Sequence, residues 1–223
     1  MGDVRQNIAF LNVSRETLDD AESLYQKHFD RFEEYLNQLL WWNQKTNLVS
    51  RDVSRETVRD HVIHSLIPST MGLFDQIETW IDAGTGGGLP GIPLAIAESE
   101  KRWVLNDISG KKVAAVKQII HHLVLDNAMG KTGPLKKMKV TSRTGIITKH
   151  AFSVENLMEQ LQDKPWKKVI MYKGAEESAE QLEQCDTPCH ATIAKFDFNN
   201  SDSFYSGKAL LILESLRKME WIA

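Results

Sequence analysis

The residues of this sequence that could do chemistry begin with a glycine-rich segment, Asp82-Ala83-Gly84-Thr85-Gly86-Gly87-Gly88-Leu89-Pro90-Gly91. Glycines adopt positive φ and let a ligand approach the backbone closely, so a turn of this composition is a candidate binding site. Positions 86, 88 and 91 fit the G-x-G-x-x-G spacing, which is a weak signal on its own. Because no Lys-Ser or Lys-Thr pair follows the glycines, the segment is not a loop that cradles nucleoside triphosphates.

Two carboxylates flank the glycines and bear on the identity of the ligand. Asp82 directly precedes the first glycine, where it would repel a pyrophosphate and form an ion pair with a ligand ammonium. This favours S-adenosyl-L-methionine, which carries a sulfonium and an amino group and no phosphate, over NAD. Asp107 follows about 20 residues later and can accept hydrogen bonds from ribose hydroxyls of either cofactor. It therefore indicates an adenosine site without choosing between the two.

Hydrophobic spacing predicts the elements that must position these residues. Strands are expected over 79–82 and 102–106, a helix over 92–98, and a second helix after a cap at Ser109. Alternating strands and helices predict a parallel sheet. Later strand candidates are weaker, namely 139–142 or 145–149, then 168–172 and 209–213.

The N-terminal part of the chain has helical spacing instead. Apolar residues from Thr17 to Trp42 predict one long amphipathic helix or two in series. The pentapeptide Val-Ser-Arg-Glu-Thr at 13–17 and 53–57 is interpreted as a helix-start signal used twice. The fold predicted is α/β, with residues 1–72 as a helical segment packed on a core domain of residues 73–223. That domain is a Rossmann-like, doubly wound, mostly parallel sheet.

Composition excludes several classes of protein. Hydrophobic residues make up 42%, charged residues 26%, and the net charge is −3, which argues against a disordered chain and against a polycation that coats nucleic acid. Neither a membrane span nor a signal peptide is visible, so a cytoplasmic protein without membrane contact is expected. Cys185, Cys189 and His190 form half a metal motif that has no second half, and no metal is expected.

One charge asymmetry stands out. Between Asn127 and Val154 there is no Asp or Glu, whereas six basic residues occur there: Lys131, Lys136, Lys137, Lys139, Arg143 and Lys149. Two interpretations remain open, a solvated surface loop and a patch that faces RNA phosphates.

Residues 82–97 and 105–112, together with Trp42-Asn43, Asn47-Leu48-Val49-Ser50, His61 and Ser65-Leu66, closely resemble the glucose-inhibited division protein B family. The resemblance is dense from about Leu36 to Leu125. It implies a class I methyltransferase fold and transfer of a methyl group from S-adenosyl-L-methionine to guanine N7 in small-subunit ribosomal RNA. Carried over by position, the cofactor contacts include Gly84 and Leu89, joined by Thr85, Gly86, Gly88, Asp107 and the Asp82 discussed above. His61 and Asn47 resemble residues of a helical lid.

The second half departs from the family pattern, which usually has an Arg in a Ser-Arg-Ala context beside the methyl-transfer pocket. Arg143 stands in such a context but about seven residues early, whereas an ungapped comparison places Lys149 and His150 there. Arg143 is slightly favoured, so the catalytic candidates are Arg143, His150 and His61. Guanine N7 has a lone pair and no proton to lose, so no conspicuous base is required. A small-molecule methyltransferase and an inactive cofactor- or RNA-binding member remain as alternatives, and a monomer is expected.

Overall fold

The structure is a computed structural model that describes residues 8–198 and 204–216. Its strands are β1 (Ile8–Val13), β2 (Thr79–Ala83), β3 (Arg102–Asp107), β4 (Ala128–Thr132), β5 (Thr144–Lys149), β6 (Lys168–Gly174), β7 (Cys189–Phe196) and β8 (Lys208–Ser215). Its helices are α1 (Arg15–Lys27), α2 (Phe29–Asn43), α3 (Arg55–Thr70), α4 (Gly91–Ala97), α5 (Gly110–His122), α6 (Val154–Gln160) and α7 (Ala175–Glu183). All eight strands form one sheet in the order β1-β7-β8-β6-β5-β2-β3-β4. The pairings are parallel except that β8 runs antiparallel to β6 and β7.

The sheet lies between two helical layers. Successive side chains of a strand point to opposite faces, and β2 shows the consequence. Trp80 belongs to the apolar cluster that includes residues of α1 to α5, whereas Ile81 belongs to the cluster of α6 and α7. Cys185 and Cys189 lie in this second cluster. The predicted mostly parallel, Rossmann-like α/β fold is confirmed.

The repeated pentapeptide starts two helices, as predicted. Ser14 and Ser54 are the N-caps of α1 and α3, and their hydroxyls accept hydrogen bonds from the backbone N–H of Thr17 and Thr57 at 3.3 and 3.1 Å. The helical region from Thr17 to Trp42 is two helices in series, which meet at His28.

Three strands were not predicted: β1, β4 and β7. The predicted N-terminal helical segment is preceded by a strand that was not predicted, β1, which pairs with β7 at the edge of the sheet. Four of the six residues of β1 are exposed. Its sequence, Ile-Ala-Phe-Leu-Asn-Val, does not alternate between apolar and polar residues as a half-buried strand does, and this is why the strand was not predicted. The division into residues 1–72 and 73–223 stays a prediction.

The connections define where a ligand can bind. From β2 the chain crosses to β3 on one side, whereas β5 pairs with β2 on the other side. The carboxyl ends of these three strands therefore flank a topological switch point, where doubly wound sheets bind their ligands. Within the described residues, no helix combines the length and the apolar composition needed to cross a membrane.

Candidate functional site

A cavity of about 740 Å³ opens at the carboxyl ends of β2, β3 and β5. Its walls come from the glycine segment, from the residues that follow β3, β4 and β5, and from the N-terminal helices. Most of the site residues predicted from the sequence line it: His61, Gly84, Thr85, Gly86, Leu89, Asp107 and His150. A cavity of this size suits a nucleoside-sized ligand.

The glycine loop needs its glycines for two reasons. Gly84 and Gly86 have φ of +74° and +56°, a region that other residues rarely adopt. A Cβ on Gly84 would also lie 2.4 Å from the Cβ of Ala151. Gly88 has φ +98°, but a Cβ there would meet Ile92 at 2.4 Å. Gly88 is absent from the residues that line the cavity, so its predicted cofactor contact is corrected to a role in packing the loop on α4.

Asp82 also supports the loop and is not among the residues that line the cavity. Its Oδ2 accepts hydrogen bonds from Thr85 Oγ1 at 2.5 Å and from the Gly91 N–H at 2.9 Å. Burial raises the pKa of the Asp82 carboxyl to about 7. The carboxyl of Asp82 is fully buried, so the structure does not place it where the predicted direct ion pair with a ligand ammonium would form.

Asp107 does face the cavity. Its Oδ2 accepts a hydrogen bond from the Gly86 N–H at 3.1 Å, and its Oδ1 accepts one from the Ser109 N–H at 2.8 Å. A carboxylate oxygen has two acceptor positions, so both oxygens can still accept ligand hydroxyls. Asp107 thus joins the glycine loop to the start of α5 and presents acceptors to the cavity.

Replacing Asp107 by alanine should weaken S-adenosyl-L-methionine binding by about 1.5–3 kcal/mol, because charged acceptors of the ribose hydroxyls are lost. Titration calorimetry with S-adenosyl-L-homocysteine measures this. Asp107→Asn keeps one acceptor oxygen and should fall between the parent protein and Asp107→Ala. Equal affinities for all three proteins would remove Asp107 from the cofactor site.

Lys149, at the end of β5, is a buried basic group in the cavity wall. Its Nζ donates hydrogen bonds to the backbone carbonyl of His61 at 3.1 Å and to Ser65 Oγ at 3.5 Å. Burial lowers the pKa of Lys149 well below its usual range, and Lys208 lowers it further. Burial and Lys149 also lower the pKa of His61, to about 3. Burial therefore favours the neutral forms of the Lys149 amine and of the His61 imidazole.

The structure does not bring Arg143 to the cavity. Arg143 precedes β5, at the end of the sheet away from the glycine loop, and its guanidinium forms an exposed ion pair with Glu78 at 2.5 Å. The preference for Arg143 as the pocket residue is therefore corrected in favour of the ungapped alternative. His150 lines the cavity next to Lys149 and has φ +56°.

The segment between α2 and α3, in which the sequence indicated a helical lid at Asn47, forms one wall of the cavity through Leu48, Val49 and Ser50. Asn43 fixes this segment: its Oδ1 accepts hydrogen bonds from the N–H groups of Leu48 and Val49 at 2.9 and 3.0 Å, and its Nδ2 donates to the Ser50 carbonyl at 3.1 Å. Further cavity residues that were not predicted as site residues are Val53, Ile108, Lys112, Leu135, Phe152 and Gln160. Only the tertiary fold brings these positions together.

Comparisons with known proteins agree with this geometry. A family model described as rRNA small subunit methyltransferase G matches residues 28–201. The ribosomal RNA small subunit methyltransferase G of Chlorobium limicola is 33% identical over 209 residues, which are 90% of this chain and 93% of that protein. The protein of the same name from Chlorobaculum tepidum is 39% identical over 123 residues, 55% of this chain and 57% of that protein.

Solved structures resemble the fold. A methyltransferase from Geobacter sulfurreducens has a TM-score of 0.55 at 16% identity, covering 81% of this chain and 89% of that chain. An O-methyltransferase from Bacillus cereus, solved in complex with SAH, has a TM-score of 0.53 at 16% identity and covers 81% and 90%. At this identity the likeness concerns the fold alone.

Proposed function

This chain belongs to the rRNA small subunit methyltransferase G family, and from that premise we propose that it transfers a methyl group from S-adenosyl-L-methionine to guanine N7 in small-subunit ribosomal RNA. The observation that carries the proposal is the cavity itself. At one end Gly86 and Asp107 form a cradle for a nucleoside, and Lys149 and His61 lie in the same cavity wall.

The residues present fit the cofactor. The carboxylate of Asp107 retains acceptor positions for two ribose hydroxyls, and the glycine loop leaves room for close approach to its backbone. Ile108 is 78% exposed although it is a large apolar residue, and it lines the cavity next to Asp107. An adenine ring can cover such a side chain. The bound cofactor supplies an electrophilic methyl group on a sulfonium.

The part of the cavity wall formed by Lys149 and His61 is here called the acceptor end. It must align a guanine and need not deprotonate it, because N7 carries a free lone pair. Lys149 is suited to this alignment. The 3.5 Å contact of its Nζ with Ser65 Oγ is long for a hydrogen bond and can be exchanged for guanine O6. A donor on O6 holds the base in the cavity and leaves N7 free.

Electrostatics favour the same arrangement. A sulfonium is a cation, and a second cation close to it in a partly buried cavity would raise the energy of the bound state. Burial shifts both Lys149 and His61 toward their neutral forms. The acceptor end can thus donate hydrogen bonds without strong repulsion of the cofactor.

RNA phosphates require cations outside the cavity. The basic segment from the end of β4 to the start of β5 contributes Lys131, Lys136, Lys137 and Lys139, which are all exposed. None of the four forms an ion pair with an acid in the part of the chain that the structure describes. Gly133, Pro134 and Leu135, which lie among them in sequence, line the cavity. This supports the phosphate-facing interpretation of the segment.

Changing these four lysines to glutamine should weaken RNA binding and flatten its salt dependence. Each lost phosphate contact lowers the slope of log K against log salt by about 0.7–0.9. Fluorescence anisotropy with a labelled single-stranded RNA between 50 and 200 mM salt, about the range in which such contacts matter, measures the slope. Cofactor affinity should not change. An unchanged slope would assign the segment to solvated surface.

The proposed function is tested by incubating the protein with labelled S-adenosyl-L-methionine and small ribosomal subunits from a strain that lacks the modification. Mapping of the modified nucleotide should give 7-methylguanosine in the small-subunit RNA. Methylation of small molecules alone would support the small-molecule alternative, and cofactor binding without turnover would support an inactive member.

We further propose that the protein acts in the cytoplasm, where its substrate is assembled, and as a monomer.

A further inference from the structure

The last turn of α2 carries an exposed aromatic side chain that the proposed site does not use. Trp41 is 47% exposed, and the Nζ of Lys45 lies over its ring, 3.2 Å from the centroid. Trp42 stands perpendicular to Trp41 at 5.0 Å between centroids. An exposed aromatic ring that is accompanied by cations is an arrangement on which unpaired nucleic-acid bases stack.

The charge around this ring favours an anionic partner. The sequence contains no Asp or Glu between Glu34 and Asp52, whereas it contains Lys45 and Arg51. Lys45 forms no ion pair with any acid in residues 8–198 or 204–216. Arg51 is exposed, and its Nε donates a hydrogen bond to the amide oxygen of Asn47 at 3.1 Å. Both cations remain available to phosphates.

The position of the ring links it to the cavity. Lys45 lies three residues before Leu48, which lines the cavity, so their Cα atoms are at most about 11 Å apart. The contacts of Asn43 with Leu48, Val49 and Ser50 hold this segment in place. A chain that enters the cavity with one nucleotide can thus place a neighbouring nucleotide near Lys45, whose Nζ lies over the Trp41 ring.

We propose that Trp41 and Lys45 form a stacking site for an unpaired base of the RNA substrate, next to the base that is methylated. The ring takes the base, and Lys45 and Arg51 take the adjoining phosphates. This site rests on the proposed function, since it needs an RNA that enters the cavity. It implies that the target guanine is presented in an unpaired stretch and not within a regular duplex.

The test uses the full chain and a fluorescein-labelled single-stranded RNA. Trp41→Ala should weaken RNA binding by roughly 5- to 150-fold, the range contributed by one stacked base, with the affinity for S-adenosyl-L-homocysteine unchanged. Trp41→Phe keeps an aromatic ring and should retain most of the affinity while losing part of the tryptophan quenching that RNA produces. Phe29→Ala, which removes an exposed aromatic ring at the other end of α2, is the matched control and should bind RNA like the parent protein.

The outcomes separate this site from the proposed function. Parental RNA affinity in Trp41→Ala would overturn the stacking site, even if ribosomal RNA is methylated normally. Equal losses in Trp41→Ala and Phe29→Ala would overturn it as well, because they would indicate a general effect on α2. If the parent protein methylates no ribosomal RNA but still loses RNA affinity on Trp41→Ala, the stacking site stands and the proposed reaction does not.

Discussion

A valine at position 86 should abolish binding of S-adenosyl-L-methionine in a protein that still folds. Gly86 has φ +56°, and a left-handed conformation costs a residue with a Cβ about 1–2 kcal/mol. The new Cβ would lie 3.4 Å from the carbonyl oxygen of Leu48 at the cavity wall. Relief of that strain would displace the N–H of residue 86, which donates a hydrogen bond to Asp107 Oδ2. Titration calorimetry should detect no binding at ligand concentrations that saturate the parent protein.

The matched control is Gly72→Val. Gly72 also has positive φ, +66°, and its Cβ would have only the Asp75 carboxylate oxygen near it, at 3.9 Å. The same backbone strain is thus introduced after α3, away from the cavity. Gly72→Val should lose thermal stability but bind the cofactor. Retention of cofactor affinity by a folded Gly86→Val protein would exclude the glycine loop from the site.

Replacement of Lys149 by methionine should lower the rate of methyl transfer by about 100-fold, the cost of a misplaced reactant. Methionine fills a similar volume but donates no hydrogen bond to the base. Because Lys149 is assigned to alignment, kcat should fall while the affinities for S-adenosyl-L-homocysteine and for RNA change little. Single-turnover kinetics with unmethylated small subunits separates the two effects.

Arg143→Met is the control for this experiment, and it compares the two alternatives that the sequence left open. Arg143 pairs with Glu78 on the surface, where loss of an exposed ion pair costs at most about 1 kcal/mol of stability. The methyl-transfer activity of Arg143→Met should therefore equal that of the parent protein. A large loss of activity in Arg143→Met, with Lys149→Met active, would reverse the assignment.

Sequence spacing predicted only part of the proposed cofactor end of the site. The spacing of Gly84, Gly86 and Asp107 is local to one strand-turn-helix unit and the next strand, and the structure brings these residues together as predicted. The catalytic end depends on where β5 begins. A Thr141–Thr144 hydrogen-bonded turn starts that strand, which puts Arg143 before it and Lys149 at its carboxyl end. Sequence spacing alone could not place this turn.

The missed strands show the same limit. β4 reads Ala-Met-Gly-Lys-Thr, of low strand propensity, and Gly130 fits there because Lys117 and Val113 of α5 pack against it. Side chains distant in sequence thus decide its conformation. The roles of Asp82 and Gly88 also required the structure, because only the direction of a side chain distinguishes a ligand contact from a support of the loop.

The pairing of β1 with β7 has a consequence for the order in which the protein is made. Ile8 is in register with Ala191, so the first strand leaves the ribosome long before its partner exists. At about 5–20 residues per second, synthesis of the intervening chain takes about 10–40 s. During that time Phe10 and Leu11, which remain exposed even in the finished sheet, belong to an unpaired strand. This edge of the sheet can therefore close only after β7 has been synthesised.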